Sequence, residues 1–183
     1  MENGVVFRKA DICDASVLAR LRRDTRNETF RGIYPDEVMA HFDLEASERM
    51  LANLICEDGE ETYLIECGGT PAGYFGYGKP TYDMLPPGAV CLTMLYVLRA
   101  FQRCGIGRLV FEHMRDICRA AGKDRFYNGC NLHNENAVRF YRAMGGRVIG
   151  WCTADGGKIK DQIIFEHPVE SDRPAFDEPA CFK

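Results

Sequence analysis

The stretch that most restricts how this chain can fold is "VCLTMLYV", Val90 to Val97. A strand with one face in water alternates apolar and polar residues, whereas a strand covered on both faces is apolar almost throughout. Only Thr93 interrupts this run, so the sequence predicts a central strand with structure packed above and below it. Directly after it come a glycine pair, Gly105 and Gly107, and then Ile106, Leu109, Val110, Met114, Ile117, Cys118 and Ala121 at the spacing of an amphipathic helix that Gly122 ends. A buried strand feeding such a helix predicts a crossover to a parallel neighbour, here the strand-like "RFYNGCNL".

The other segments read as hairpins and helices around that unit. "GVVFRKA" is a first strand, and Asp14 or Ser16 can cap a helix running through "VLARLRRDTRNETF". Pro35 is placed to open another helix, and "LEASERMLANLICE" has helical apolar spacing. "ETYLIEC" and "AGYFGYGK" are strands joined by the turn "GGTP", and "TYDMLPPG" is a loop. "NENAVRFYRAMGG" has an Asn cap and a Gly stop, and "RVIGWCT" with "KIKDQIIFE" forms a closing hairpin around "ADGG". The expected fold class is α/β (α+β), a mixed, mostly antiparallel sheet of about six to seven strands flanked by about four helices. One domain over residues 1–167 is expected, with 168–183, rich in Pro and acid, as a flexible tail.

Composition removes several classes of function. The chain has 183 residues, one ordinary domain, and no apolar run or leader-like start that would span or cross a membrane. Nine cysteines contain no CxxC pair and no Cys/His spacing suited to zinc, so no metal site is expected. Reduced thiols in a cytoplasm fit that pattern, most of them as small buried hydrophobes. A net charge of -4 gives no footprint for broad nucleic-acid binding.

The glycine pair is neither of two common nucleotide motifs. A P-loop needs GxxxxGK[ST], and no such lysine and hydroxyl follow Gly105. A dinucleotide turn needs a third small residue, where this chain has Val110. What survives is QxxGxG, Gln102 to Gly107, at the start of a helix, where unpaired amides and the helix dipole can bind a phosphate if side chains leave room. Arg103 and Arg108 add charge beside it. A simple turn is the alternative reading.

"LYVLRAFQRCGIGRLV", followed downstream by "NENAVRFYRAMGG", resembles the GNAT superfamily of acyl-CoA-dependent N-acetyltransferases. The resemblance implies a GNAT-like fold with acetyl-CoA as acyl donor. It implies that Leu95, Tyr96 and Val97 pair with the pantetheine arm and that Arg103, Cys104, Gly105, Ile106, Gly107 and Arg108 hold the pyrophosphate. Asn134 would contact the cofactor and Tyr141 would protonate the leaving thiolate. Seven residues of helix put these two on one face about 10 Å apart along the axis; helix capping by Asn134 and core packing by Tyr141 remain open beside those roles. Phe30, Tyr34 and Tyr82 would shape the acceptor pocket. Where carboxylates that deprotonate the amine often sit, this chain has Cys91 and Gly129, which leaves the general base unassigned.

Other residues have two readings each. His133 is a proton relay or polar surface, and His113 a structural histidine on an apolar helix face. Arg20, Arg22, Arg23, Arg26 and Arg31 meet an anion or form a solvated face with Asp24 and Glu28. The resemblance thus implies an N-acetyltransferase acting by direct attack of a primary amine, on a small molecule or a protein. The alternatives are a non-catalytic acyl-CoA-binding sensor or interaction module, a longer acyl-CoA as donor, or aminoacyl-tRNA as acceptor, the last disfavoured by the acidic balance. An exposed edge strand after the last hairpin would suit a homodimer.

Overall fold

In the computed structural model, which describes residues 4–80, 82–153 and 157–170, seven strands form one sheet. They are β1 (Val5–Lys9), β2 (Glu61–Cys67), β3 (Thr70–Gly78), β4 (Cys91–Val97), β5 (Arg125–Asn131), β6 (Arg147–Cys152) and β7 (Gln162–Pro168). Across the sheet the order is β1-β2-β3-β4-β5-β7-β6, antiparallel everywhere except between β4 and β5. Helices α1 (Ala15–Phe30), α2 (Asp36–Ala40) and α3 (Leu44–Ile55) lie between β1 and β2 in the chain, α4 (Ile106–Ala120) makes the crossover, and α5 (Glu135–Ala143) follows β5.

The continuous apolar character of β4 is explained by what covers it. Leu92, Leu95 and Val97 pack into a core with Val110, Phe111 and Met114 of α4 and Tyr141 of α5. Met94 and Tyr96 pack on the opposite side with Leu18 and Leu21 of α1 and Leu51 of α3. Of these, Leu92, Val110, Phe111, Met114, Leu18 and Leu51 are buried, and each contributes about 1.5–3 kcal/mol. The strict alternation fails at Thr93, where the register against β3 jumps from Gly76↔Met94 to Tyr77↔Leu92. That extra residue is a bulge, which bends the strand and increases its local twist.

The consequence for function lies between β4 and β5. They pair only at Cys91↔Tyr127 and Leu92↔Asn128. Beyond those pairs β4 stays on β3 through Val97, while β5 stays on β7 through Asn131. Each strand follows its outer partner, and the sheet opens into a V between Thr93–Val97 and Gly129–Asn131.

Three expectations are corrected. Lys158 and Ile159 lie in a 3-10 turn, Gly157–Ile159, and the last strand begins only at Gln162. The domain does not stop at residue 167: Pro168 closes β7, and Val169 is buried with its amide donating to the Asp124 carbonyl at 2.9 Å. The rest of the expected tail, from residue 171 onward, lies outside the described residues. Of the eight described thiols only Cys91 and Cys118 are buried, Cys67 and Cys130 pack part-buried against the core, and Cys13, Cys56 and Cys152 are exposed, so fully buried thiols are the minority among the described cysteines.

Two histidines are structural. His113 packs edge-on against Phe7, Tyr63 and Phe75, as its place on the apolar face of α4 suggested. His167 of β7 is fully buried, stacked on Phe126 and hydrogen-bonded through Nε2 to Asn128 Oδ1 at 2.7 Å. Burial, reinforced by the nearby Arg115, pushes its pKa down to about 3, against a partial upward pull from the Met144 carbonyl. It is therefore neutral at physiological pH.

Candidate active site

The glycine turn follows the splayed end of β4. Gln102 fastens the turn to the strand it leaves, its side-chain amide donating to the Val97 carbonyl at 2.9 Å. Arg103 and Gly105 both have positive φ, 65° and 84°. A Cβ in that region costs about 1–2 kcal/mol, which explains glycine at 105 and marks Arg103 as strained. Such alternation of backbone conformations turns successive amides toward one point, a nest suited to an anion. The amides of Arg103, Cys104, Gly105, Ile106 and Gly107 have no acceptor among the described residues, whereas Arg108 and Leu109 already donate to the Gly105 carbonyl.

Gly107 has a different task from Gly105. A Cβ on it would lie 2.6 Å from Cζ of Phe140, so its lack of a side chain lets α4 and α5 approach each other. Phe140 in turn sits edge-on to Phe111 in the core. The two glycines of the motif thus serve the turn and the helix packing, and both leave the amides at the helix start uncovered.

Helix α5 brings Asn134 and Tyr141 to the β5 side of the V. Asn134 is the N-cap, its Oδ1 accepting from the Ala137 amide at 3.1 Å, so the capping reading is right whatever else the side chain contacts. Tyr141 is buried to 7% exposure among Phe111, Phe165 and His167, and its hydroxyl has no hydrogen-bond partner among the described residues. Burial pushes its pKa well above that of an ordinary phenol, with Cys130, Tyr96 and Tyr82 adding to the rise. The neighbouring Cys130 thiol is pushed up to about 12 by the same burial. A thiolate released here would be destabilised alike, which keeps proton transfer from Tyr141 to sulfur feasible.

On the opposite face, the rim is assembled from distant parts of the chain. Phe30 and Tyr34 stack with ring centroids 4.4 Å apart, and the Tyr34 hydroxyl donates to the Ile159 carbonyl at 3.5 Å. Asn131, at the end of β5, donates to the Lys158 carbonyl at 2.6 Å, tying the 157–159 turn to the strand. Burial raises the Tyr34 pKa, with Tyr96 adding to the effect. Tyr82 reaches the base of the V, where its ring lies against Gly129. Cys91 is buried with Leu85, Tyr127 and Ile164, the packing that the sequence suggested for it.

Of the first helix's arginines, Arg22 contacts Ser47 and Met50, Arg23 pairs with Asp24, and Arg26 donates to the Val38 carbonyl and covers the Phe42 ring. Arg31 lines an open cleft of about 430 Å3 with Asn27, Glu28 and Arg99. His133 is held by Asp161 at 2.8 Å, a contact nothing in the local sequence announced. Among the described residues no group of three His, Cys, Asp or Glu side chains is placed to hold a metal ion, and no helix is long and apolar enough to cross a membrane.

A sheet opened between two parallel strands, with a nest of free amides at its mouth, suits an extended ligand with a phosphorylated end. The chain belongs to the acetyltransferase (GNAT) family, whose profile matches residues 21–146. It is 28% identical over 128 residues to an uncharacterized N-acetyltransferase from the pepI 3′ region of Lactobacillus delbrueckii subsp. lactis, covering 68% of this chain and 74% of that one. Its fold is similar to that of PaiA N-acetyltransferase from Thermoplasma acidophilum in complex with coenzyme A, with TM-score 0.73 and 20% identity over 90% of this chain and 99% of that one. An acetyltransferase from Thermus thermophilus is also similar, with TM-score 0.68 and 22% identity over 90% of this chain and 96% of that one. At those identities the structural likeness establishes the fold, and the profile match establishes the family.

Proposed function

We propose that this acetyltransferase moves the acetyl group of acetyl-CoA onto a primary amine, on a small molecule or a protein, by direct attack. The observation that carries the reading is the opening of the sheet beyond Leu92 and Asn128, with the free amides of Arg103 to Gly107 at its mouth. The backbone of Leu95 to Val97 lines one side of that opening and is free toward β5, the direction from which an extended pantetheine arm would pair with it. Val97 keeps less capacity than its neighbours, because its carbonyl is taken by Gln102. The amides of the turn, with Arg103 and Arg108 beside them, neutralise the diphosphate. Asn134 and Tyr141 then meet the arm from α5.

Tyr141 stays protonated at physiological pH because its pKa is raised, and it delivers its proton as the C–S bond breaks. A backbone amide in the stretch Leu95 to Val97 serves as the oxyanion donor. The rim of Phe30 and Tyr34 receives the amine from the face opposite Tyr141, and its aromatic character suits the alkyl part of an amine more than a phosphate backbone. The test is thiol release from acetyl-CoA with a panel of small amines and peptides bearing free α- or ε-amino groups. Amine-dependent release supports the reading. Binding of acetyl-CoA without release across the panel would favour the sensor alternative.

A further inference from the structure

The reading above leaves the attacking amine without an assigned proton acceptor, because Gly129 has no side chain and Cys91 is buried with Leu85, Tyr127 and Ile164. We propose that Tyr82 takes that role, its hydroxyl standing at the base of the V in the space that a side chain at position 129 would fill. Gly129 is the first residue of β5 beyond its last pair with β4. A Cβ there would run into the Tyr82 hydroxyl and would lie 2.7 Å from Cζ and 3.0 Å from Cε2. Glycine at 129 is therefore what admits the phenol.

The face is the right one. Side chains alternate along a strand, so position 129 points to the same side as Tyr127, which is buried with Leu85, Cys91 and Ile164 and has Tyr82 packed against that group. Phe126 and Cys130 belong to the opposite side, with Tyr141. The two phenols thus reach the V from its two faces, and they are close enough for Tyr82 to add to the raised pKa of Tyr141. One stands beside the leaving sulfur and the other beside the incoming nitrogen.

An alkylammonium gives one proton to water on becoming the neutral amine. As the nitrogen lone pair forms the N–C bond, Tyr82 Oη accepts the second N–H proton while its own hydroxyl proton passes to water, since a neutral phenol acts as a relay. The C–S bond breaks, Tyr141 protonates sulfur and is reprotonated from water. Each turnover releases one proton net.

This inference rests on the acetyltransferase reading, and the test separates the two. Tyr82→Phe keeps the ring and its packing, and is expected to lower kcat about 100-fold with an unchanged KM for acetyl-CoA. Gly129→Asp alone should lose activity by collision with the phenol. Tyr82→Ala combined with Gly129→Asp puts a carboxylate in the vacated space and should recover at least about tenfold over Tyr82→Ala alone, with a pH-rate profile displaced toward lower pH. A Tyr82→Phe enzyme as fast as the unsubstituted one, or a double variant no faster than Tyr82→Ala, would overturn the Tyr82 proposal alone. Absence of turnover by the unsubstituted protein with every amine would overturn both readings.

Discussion

The β4–α4–β5–α5 side of the cleft and the rim that faces it are built in different ways. On the first side the working parts are backbone amides and strand edges, held by neighbours close in sequence: Gln102 on Val97, Gly105 at the helix start, Asn134 on Ala137. On the second the working parts are side chains from far-apart segments: Tyr34 on Ile159, Asn131 on Lys158, Tyr82 against Gly129. A backbone site can accept only the part of a ligand that is constant, and a rim of side chains can be changed one residue at a time. On the function proposed above, the donor falls on the first side and the choice of acceptor on the second.

Substitutions should divide along the same line. The largest effect is expected for Tyr141→Phe, which should lower kcat about 100-fold or more while acetyl-CoA still binds, since general acid catalysis contributes roughly that much. Single-turnover kinetics beside equilibrium binding would check it, and unchanged turnover would remove Tyr141 from the chemistry.

A stability effect on the donor side comes next. His167 has its pKa pushed down to about 3, below the ordinary 6.5, so it stabilises the fold above pH 6.5 and that contribution is lost as the pH falls toward 3. In that window the unfolded chain takes up a proton that the folded one refuses, at about 1.4 kcal/mol per pH unit. Urea unfolding of the protein and of His167→Gln between pH 6.5 and 4 should show a steeper loss for the unsubstituted chain. Parallel curves would contradict the assignment.

The smallest effect concerns the two glycines of one motif. Gly107→Ala forces Phe140 to move and should cost about 1–3 kcal/mol, the usual range for overpacking. Phe140→Leu in the same chain should recover part of it. Acetyl-CoA affinity, measured on the folded fraction, should change less than in Gly105→Ala, which alters the turn itself.

The same contrast explains what the sequence disclosed. The covered strand, the crossover helix and QxxGxG were legible because their signals are local: an apolar run, a helical period, glycines at a helix start. Tyr141 was singled out through the downstream segment "NENAVRFYRAMGG", but the setting that raises its pKa depends on burial and on Cys130, Tyr96 and Tyr82, which only the fold brings together. Gly107 looked like room for a phosphate, and its partner Phe140 lies on another helix, so no local pattern could show that packing requires it. The Thr93 bulge and the fit of Tyr82 over Gly129 leave no periodic trace. The stop placed at residue 167 relied on composition, and the burial of Val169 overrides it.

The division between the two sides can be tested directly by following backbone amide resonances while coenzyme A is added to the protein. The account predicts the strongest shifts and new exchange protection at Arg103 to Gly107 and along Leu95 to Val97, with little change at Phe30 to Tyr34. Shifts centred on Phe30 to Tyr34, with the amides of the glycine turn unmoved, would contradict it.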